Sequence, residues 1–414
     1  VDCDDVAFAL AYEGRTLSGP DETALQRHVA SCEVCSQLRA EAASREFRWI
    51  VRVAEDAFDD RDLLVLPTVD PIVFVGEREL ARGGMGRITL VRDRRLGRDV
   101  ALKEILDGDL RARFEREVAI TAQLQHPAIV PIYEAGEWPD GSAFYTMRLV
   151  AGGTLADAIA KATTLEQRLA LIPHVVATTE ALAYAHSRQI VHRDLKPGNV
   201  LVGQFRETVV IDWGLAKDLR GAVDDPAASR PSISPYLTRI GSVIGTPGFM
   251  SPEQAAGDEV DERADVYALG AMLYNVLAGH PPYGDSQLPT PTSLVEHATR
   301  EPPTPLGAVV PRVPDDLRAI VERAMTRDLA TRYANAGELA AELRRFEAGQ
   351  LLRSREYRTG ELIVRWVRRH RAIALAALIA IIVGASAIVG ITRSRGAERA
   401  ARQLAEHALA ESQL

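Results

Sequence analysis

Residues 192–199 read His-Arg-Asp-Leu-Lys-Pro-Gly-Asn, and eighteen residues after Asp194 comes Asp212-Trp213-Gly214. The carboxylate and amide oxygens of Asp194, Asn199 and Asp212 are hard ligands, the kind that Mg²⁺ and similar cations prefer. Lysine usage is a second signal. Only four lysines occur, Lys103, Lys161, Lys196 and Lys217, while the other 45 of the 49 basic residues are arginines. A chain that uses arginine almost wherever a generic cation will serve keeps lysine where a compact point charge is needed and a guanidinium fork does not fit. Lys196 lies inside the first motif, and Lys103 ends the run Val100-Ala101-Leu102-Lys103. Hard oxygen ligands and compact cations together suit phosphate groups accompanied by a divalent metal.

At this separation the two motifs resemble the catalytic loop and the metal-binding loop of eukaryotic-type protein kinases. The resemblance implies transfer of a phosphoryl group from ATP with Mg²⁺ or Mn²⁺. In such a reaction the protein aligns nucleotide and hydroxyl and neutralises charge on the moving group. It casts Asp194 as the acceptor of the hydroxyl proton, Asn199 and Asp212 as metal ligands, and Lys196 as the cation beside the γ-phosphate. A lysine two residues after the aspartate is similar to the serine/threonine class rather than the tyrosine class. Lys103 matches the small-lobe lysine that holds the α- and β-phosphates.

Upstream, Leu80-Ala81-Arg82-Gly83-Gly84-Met85-Gly86-Arg87-Ile88 resembles the glycine-rich loop of that lobe. Glycines let backbone amides approach phosphates without a side-chain clash. The family pattern Gly-x-Gly-x-x-Gly-x-Val is altered here, with Ala81 at the first glycine and Ile88 at the valine. The resemblance therefore assigns Ala81, Arg82, Gly83, Gly84, Met85, Gly86 and Ile88 to nucleotide binding. It adds Ala101, Met147 and Leu149 to the same pocket. Apolar residues recur at helical spacing between Asp109 and Leu124, and His126-Pro127 stops the segment. This helix should carry the partner of Lys103, with Glu117 the choice and Glu115 the alternative on the opposite face.

After Asp212 a stretch rich in Ser, Thr and Pro closes with Gly245-Thr246-Pro247-Gly248-Phe249-Met250-Ser251-Pro252-Glu253. It resembles an activation segment. Arg193, before Asp194, is of the type that pairs with a phosphate there, and Ser232, Ser234, Thr238 and Ser242 are the candidate acceptors. Thr246 resembles a substrate-positioning threonine. Asp265 looks like the aspartate that ties down the catalytic-loop backbone, and Arg332 like the buried partner of Glu253. Trp213 replaces the usual phenylalanine and should fill the same slot with more bulk. The resemblance spans 74–346 and implies an α+β fold of two lobes, a small β-rich one and a larger helical one.

The ends differ from this middle. All three cysteines lie in the first 35 residues, and with His28 they read Cys3-x24-His28-x3-Cys32-x2-Cys35. Thiolates and imidazole are a tetrahedral zinc set. If Asp21 caps a helix, His28, Cys32 and Cys35 fall on one face at i, i+4 and i+7, and Cys3 returns to close the site. Residues 1–45 resemble the zinc-binding anti-sigma domain, a small α-helical module. Two other readings stay open: cysteines buried as small hydrophobes, and a redox switch. A structural disulfide does not suit the reducing compartment in which ATP is used.

Residues 46–73 read as a linker, with acidic residues followed by Pro67 and Pro71. Beyond a basic juxtamembrane segment, 347–371, residues 372–391 carry no charge. Twenty residues of helix span about 30 Å, the thickness of a bilayer core. Arginines flank this stretch on both sides, so charge does not set its orientation; use of ATP puts the kinase and zinc module on the cytoplasmic side of a single-pass cytoplasmic-membrane protein. Ala380 with Gly384, and Ser386 with Gly390, would permit close helix pairing and hence a homodimer. The tail, 392–414, reads as helical and too short for a sensor. Either the sequence is a piece of a longer chain, to which the lack of an initial Met also points, or sensing lies elsewhere. The net charge of −8 argues against a nucleic-acid partner.

The sequence thus points to a membrane-anchored serine/threonine kinase acting on protein hydroxyls, itself included, in signalling. One rival is a pseudokinase scaffold, against which stand Lys103, Asp194, Asn199 and Asp212 together. Another is an interaction protein whose zinc module binds a transcription regulator.

Overall fold

The computed structural model describes residues 66–83, 86–106, 108–220, 248–283 and 298–355, together with Cys32 and parts of 357–399. The chain divides into two units, Val1–Leu66 and Pro67–Leu414. Cys3, His28 and Cys35 of the first lie outside the described residues. So do Gly84, Met85, Ser232, Ser234, Thr238, Ser242 and Thr246 of the second.

The small lobe is a five-stranded antiparallel sheet in the order β1-β2-β3-β5-β4. Its strands are β1 (Phe74–Arg82), β2 (Gly86–Asp93), β3 (Arg98–Ile105), β4 (Ile132–Glu137) and β5 (Ala143–Met147). Val91, Val100, Leu102, Phe144, Val69 and Phe74 form its core. Gly86 begins β2 where the strands crowd: a Cβ there would lie 2.1 Å from the carbonyl oxygen of Glu104. No other residue type fits that approach. Helix α1 (Arg111–Gln123) turns Phe114, Glu117, Val118, Ile120 and Thr121 inward. It starts two residues later than the periodicity suggests, because Gly108–Leu110 form a 3₁₀ turn first and Leu110 supplies no side-chain cap.

The large lobe is helical. Its main helices are α2 (Leu155–Lys161), α3 (Ile172–Ser187), α4 (Glu262–Ala278), α5 (Asp315–Ala324) and α6 (Ala336–Glu347). From Ala264 to Ala278 every residue of α4 is buried, as a helix apolar on all faces must be. The Asp261 side chain caps its start and Gly279, at φ 86°, ends it. Glu342 and Asp316 clamp the segment after α6. Glu342 accepts from Arg353 N at 3.0 Å, from Ser354 N at 3.2 Å and from Ser354 Oγ at 2.5 Å. Asp316 accepts from Arg355 at 2.7 Å and from Tyr357 OH at 3.1 Å. Leu352, 4% exposed, joins the large-lobe core. The basic juxtamembrane segment therefore begins, through residues 352–357, as a strap on α5 and α6.

Further on, Ile379–Gly396 is, among the described residues, one helix long and apolar enough to cross a membrane, with mean hydropathy 1.3. Its apolar side chains, Ile381, Val383 and Ile388 among them, are exposed.

Candidate active site

Strand register assembles the first half of the site. Lys103 on β3 sits opposite Ile88 on β2 and opposite Tyr145 on β5, and Ala101 sits opposite Met147. Ala101 and Met147, each 5% exposed, thus share one face of the sheet. Lys103 Nζ donates to Glu117 Oε1 at 2.5 Å and lies 3.5 Å from Asp212 Oδ1. Burial works against its ammonium, but Glu117 and Asp212 outweigh it and raise the Lys103 pKa. Glu115 faces away and takes Arg111 at 2.7 Å. Tyr145 OH donates to the same Glu117 oxygen at 2.7 Å. Arg113, on α1, donates to Gly214 O at 3.1 Å, so the helix also touches the loop that bears Asp212.

The second half hangs on α4. Asp265, 1% exposed, accepts from His192 N at 2.7 Å, Arg193 N at 2.9 Å and His186 Nε2 at 3.0 Å. Burial would raise its pKa, but His186 and His192 hold it below the usual carboxylate range. His186 Nδ1 in turn accepts from Ala336 N at 3.1 Å, which fixes the tautomer and ties the loop to α6. Gln254 donates to Arg193 O at 2.6 Å. These bonds hold Arg193 at φ 67°, left-handed backbone that costs of order 1–3 kcal/mol in a non-glycine residue. Arg332 donates to both Glu253 oxygens, at 2.6 and 3.2 Å, and fixes the end of the neighbouring segment.

The turn that follows brings three chemical groups together. Lys196 Nζ donates to Asp194 Oδ2 at 2.9 Å, and Asn199 Nδ2 donates to Asp194 O at 2.8 Å. With its NH₂ group used, Asn199 keeps its carbonyl oxygen for a cation. Asp212 also has left-handed backbone, φ 66°. Its Oδ1 is buried without a hydrogen-bond donor among the described residues. Burial pushes the Asp212 pKa up, but Lys103, His192 and Lys196 pull it below the ordinary value, so it stays an anion. A buried carboxylate oxygen with no hydrogen bond, faced by the Lys103 ammonium at 3.5 Å, is of the hard type that fits Mg²⁺ or Mn²⁺.

Trp213 fills its slot at 1% exposure, its ring 4.7 Å from that of His192. Of the other residues expected here, Ala81, Arg82 and Gly83 end β1 and the turn after it. Gly83 N donates to Gly86 O at 2.9 Å, while the Arg82 side chain folds back onto Glu79 at 2.8 Å. Leu149 is half-buried just after β5. Nothing in the sequence singles out Tyr145, Arg113 or His186. For Tyr145 the available signal is a polar phenol inside a strand that is otherwise apolar or small.

Residues 74–343 match the family described as Protein kinase domain. The serine/threonine-protein kinase PknB of Mycobacterium tuberculosis is 39% identical over 281 residues, covering 66% of this chain and 42% of that protein. PknD of Protochlamydia amoebophila is 33% identical over 294 residues, covering 66% of this chain and 30% of that protein. A probable PknB of Bifidobacterium longum is 37% identical over 279 residues. The chain thus spans about two fifths or less of the length of these relatives. Among solved structures, the Mycobacterium tuberculosis PknI kinase domain has 27% identity and TM-score 0.47, covering 66% of this chain and 96% of that one. With the family match running through both lobes and every motif of the site, the chain belongs to the protein kinase family.

Proposed function

We propose that the chain transfers the γ-phosphoryl group of ATP to serine and threonine hydroxyls of proteins, its own included. The observation that carries this is the convergence of Lys103, Asp194, Lys196, Asn199 and Asp212 on one cleft. Relatives named serine/threonine-protein kinases support the choice of acceptor. Asp194 takes the proton of the attacking hydroxyl. Lys196, held on Asp194, offsets charge at the γ-phosphate, and Lys103, held by Glu117, orients the α- and β-phosphates. Asn199 and Asp212 hold Mg²⁺ or Mn²⁺, which when bound neutralises charge on the transferred group. Ala101, Met147 and Leu149 serve the adenine, and Ala81, Arg82, Gly83, Gly84, Met85, Gly86 and Ile88 serve the phosphates. Incubation of the full chain with γ-labelled ATP and Mg²⁺ or Mn²⁺ should yield phosphoserine or phosphothreonine; label on tyrosine alone would overturn the acceptor class. The pseudokinase reading has no feature in its favour, since none of the five residues is replaced.

Residues 1–45 form, in this reading, a zinc module with Cys3, His28, Cys32 and Cys35 as ligands, supported by the spacing and by the ligand types. Metal analysis of the full chain should find about one zinc, and Cys32→Ser should lower it. A metal-free chain would remove the site.

The apolar stretch near 372–391 spans the membrane once, leaving kinase and zinc module in the cytoplasm, where ATP is. Its support is the exposure of the apolar side chains in Ile379–Gly396, which costs about 25 cal/mol per Å² in water. Deletion from Arg371 onward should move the protein to the soluble fraction with activity intact. Protease added to intact cells should remove a tag after Leu414 and spare one before Val1; the reverse pattern would refute this topology.

A further inference from the structure

Glu117 Oε1 has two donors of different character, Lys103 Nζ at 2.5 Å and Tyr145 OH at 2.7 Å. Lys103 sits on a flexible four-carbon stem, also faces Asp212 at 3.5 Å, and is the cation that must turn toward phosphate when nucleotide binds. Tyr145 has no such second duty. Its ring packs 5.4 Å from that of Phe114 and 5.8 Å below Lys103 Nζ. Its one proton goes to Glu117. Burial, then Glu117, push the phenol pKa well above 10, so it remains a donor throughout the physiological range. Phe114 and Glu117 lie at i and i+3 on α1, one face of the helix. Tyr145 therefore grips that face at two points from a central strand.

We propose that Tyr145 is a positioning residue for phosphoryl transfer: it holds Glu117, and with it α1, in the working place while Lys103 is drawn to phosphate. The proposal rests on reading Lys103 and Glu117 as the nucleotide-positioning pair. Without the phenol, only Lys103 would bind Glu117, and the helix would loosen at the moment the lysine is shared. With it, the helix is aligned before ATP arrives, so less of the nucleotide's binding free energy goes into ordering the site.

Tyr145→Phe in the full chain keeps the ring and removes the hydroxyl. It should lower kcat/KM for ATP about tenfold, the lower end for a lost hydrogen bond to a charged group. Most of the change should appear in KM, because saturating ATP reselects the aligned helix. A role in stability alone would lower the melting temperature and leave KM unchanged, and that result overturns the proposal. The double variant Tyr145→Phe with Glu117→Gln should be no worse than Glu117→Gln, since the phenol acts through that carboxylate. If the two losses multiply instead, Tyr145 acts by another route and the proposal fails. Lys103→Met separates the layers: if it leaves kcat/KM unchanged, the pair itself is misread; if it abolishes activity, failure at Tyr145 concerns Tyr145 alone.

Discussion

Asp194→Asn is expected to lower the rate of phosphoryl transfer by about 10²- to 10⁴-fold, the usual cost of losing a general base. Asparagine has nearly the shape of aspartate, and the backbone carbonyl of residue 194, which accepts from Asn199, is unchanged. Asp265 still holds the amides of His192 and Arg193, so the loop should keep its conformation. What changes is the charge beside Lys196 and the basicity of the oxygen that receives the hydroxyl proton. The loss should therefore fall on kcat, with the affinity for ATP changed by little. Labelling of a protein substrate, alongside calorimetric titration with nucleotide, separates the two. Full labelling by Asp194→Asn would remove Asp194 from the chemistry and reopen the choice of base.

The residues assigned to phosphate and metal are the most legible in the sequence, because their types are dictated by chemistry and the spacing of most of them by one short loop. Lys103 and Glu117 are fourteen residues apart, and the structure sets them 2.5 Å apart, yet periodicity alone did not choose between Glu115 and Glu117. That choice depends on how α1 is rotated, which follows from Phe114 and Val118 packing inward. Tyr145 was illegible for a related reason. Its meaning comes from standing opposite Lys103 across two strands, and register is a property of the sheet, not of Ala143-Phe144-Tyr145-Thr146-Met147. His186 is 79 residues from Asp265 in sequence and 3.0 Å from it in space. The strap after α6 also escaped. Its arginines look like a solvated linker, but Leu352 and the buried carboxylates of Asp316 and Glu342 hold it to the lobe.

Lys103→Met should have the second large effect, and it should reach stability as well as activity. Methionine keeps the length and apolar stem of lysine but cannot hold phosphate, so kcat/KM for ATP should fall by at least about 10²-fold, in line with loss of a preorganised charge at a transferring phosphoryl group. It also leaves Glu117, 1% exposed, with Tyr145 as its remaining donor, and Asp212 without its facing cation. Removing one partner from a buried ion pair typically costs about 3–5 kcal/mol, although replacing the whole pair need not. Chemical denaturation should therefore show a lower midpoint for Lys103→Met, and Lys103→Met with Glu117→Leu should recover part of the loss in stability while recovering no activity. The pH dependence has a definite sign. Lys103 has a raised pKa, so its contribution is complete below about 10.5 and is lost as pH climbs through the folded-state value. Asp212 has a lowered pKa, so its contribution is complete above about 3.8 and is lost as pH falls through its folded-state value. The stability gap between wild type and Lys103→Met should accordingly hold from neutral pH to about pH 9 and close as pH climbs further, while on the acid side it narrows as the unpaired buried carboxylates of the variant take up protons. A gap that instead closes near pH 7 would mean that Lys103 is neutral there, and the buried ammonium would no longer be what orients the phosphates.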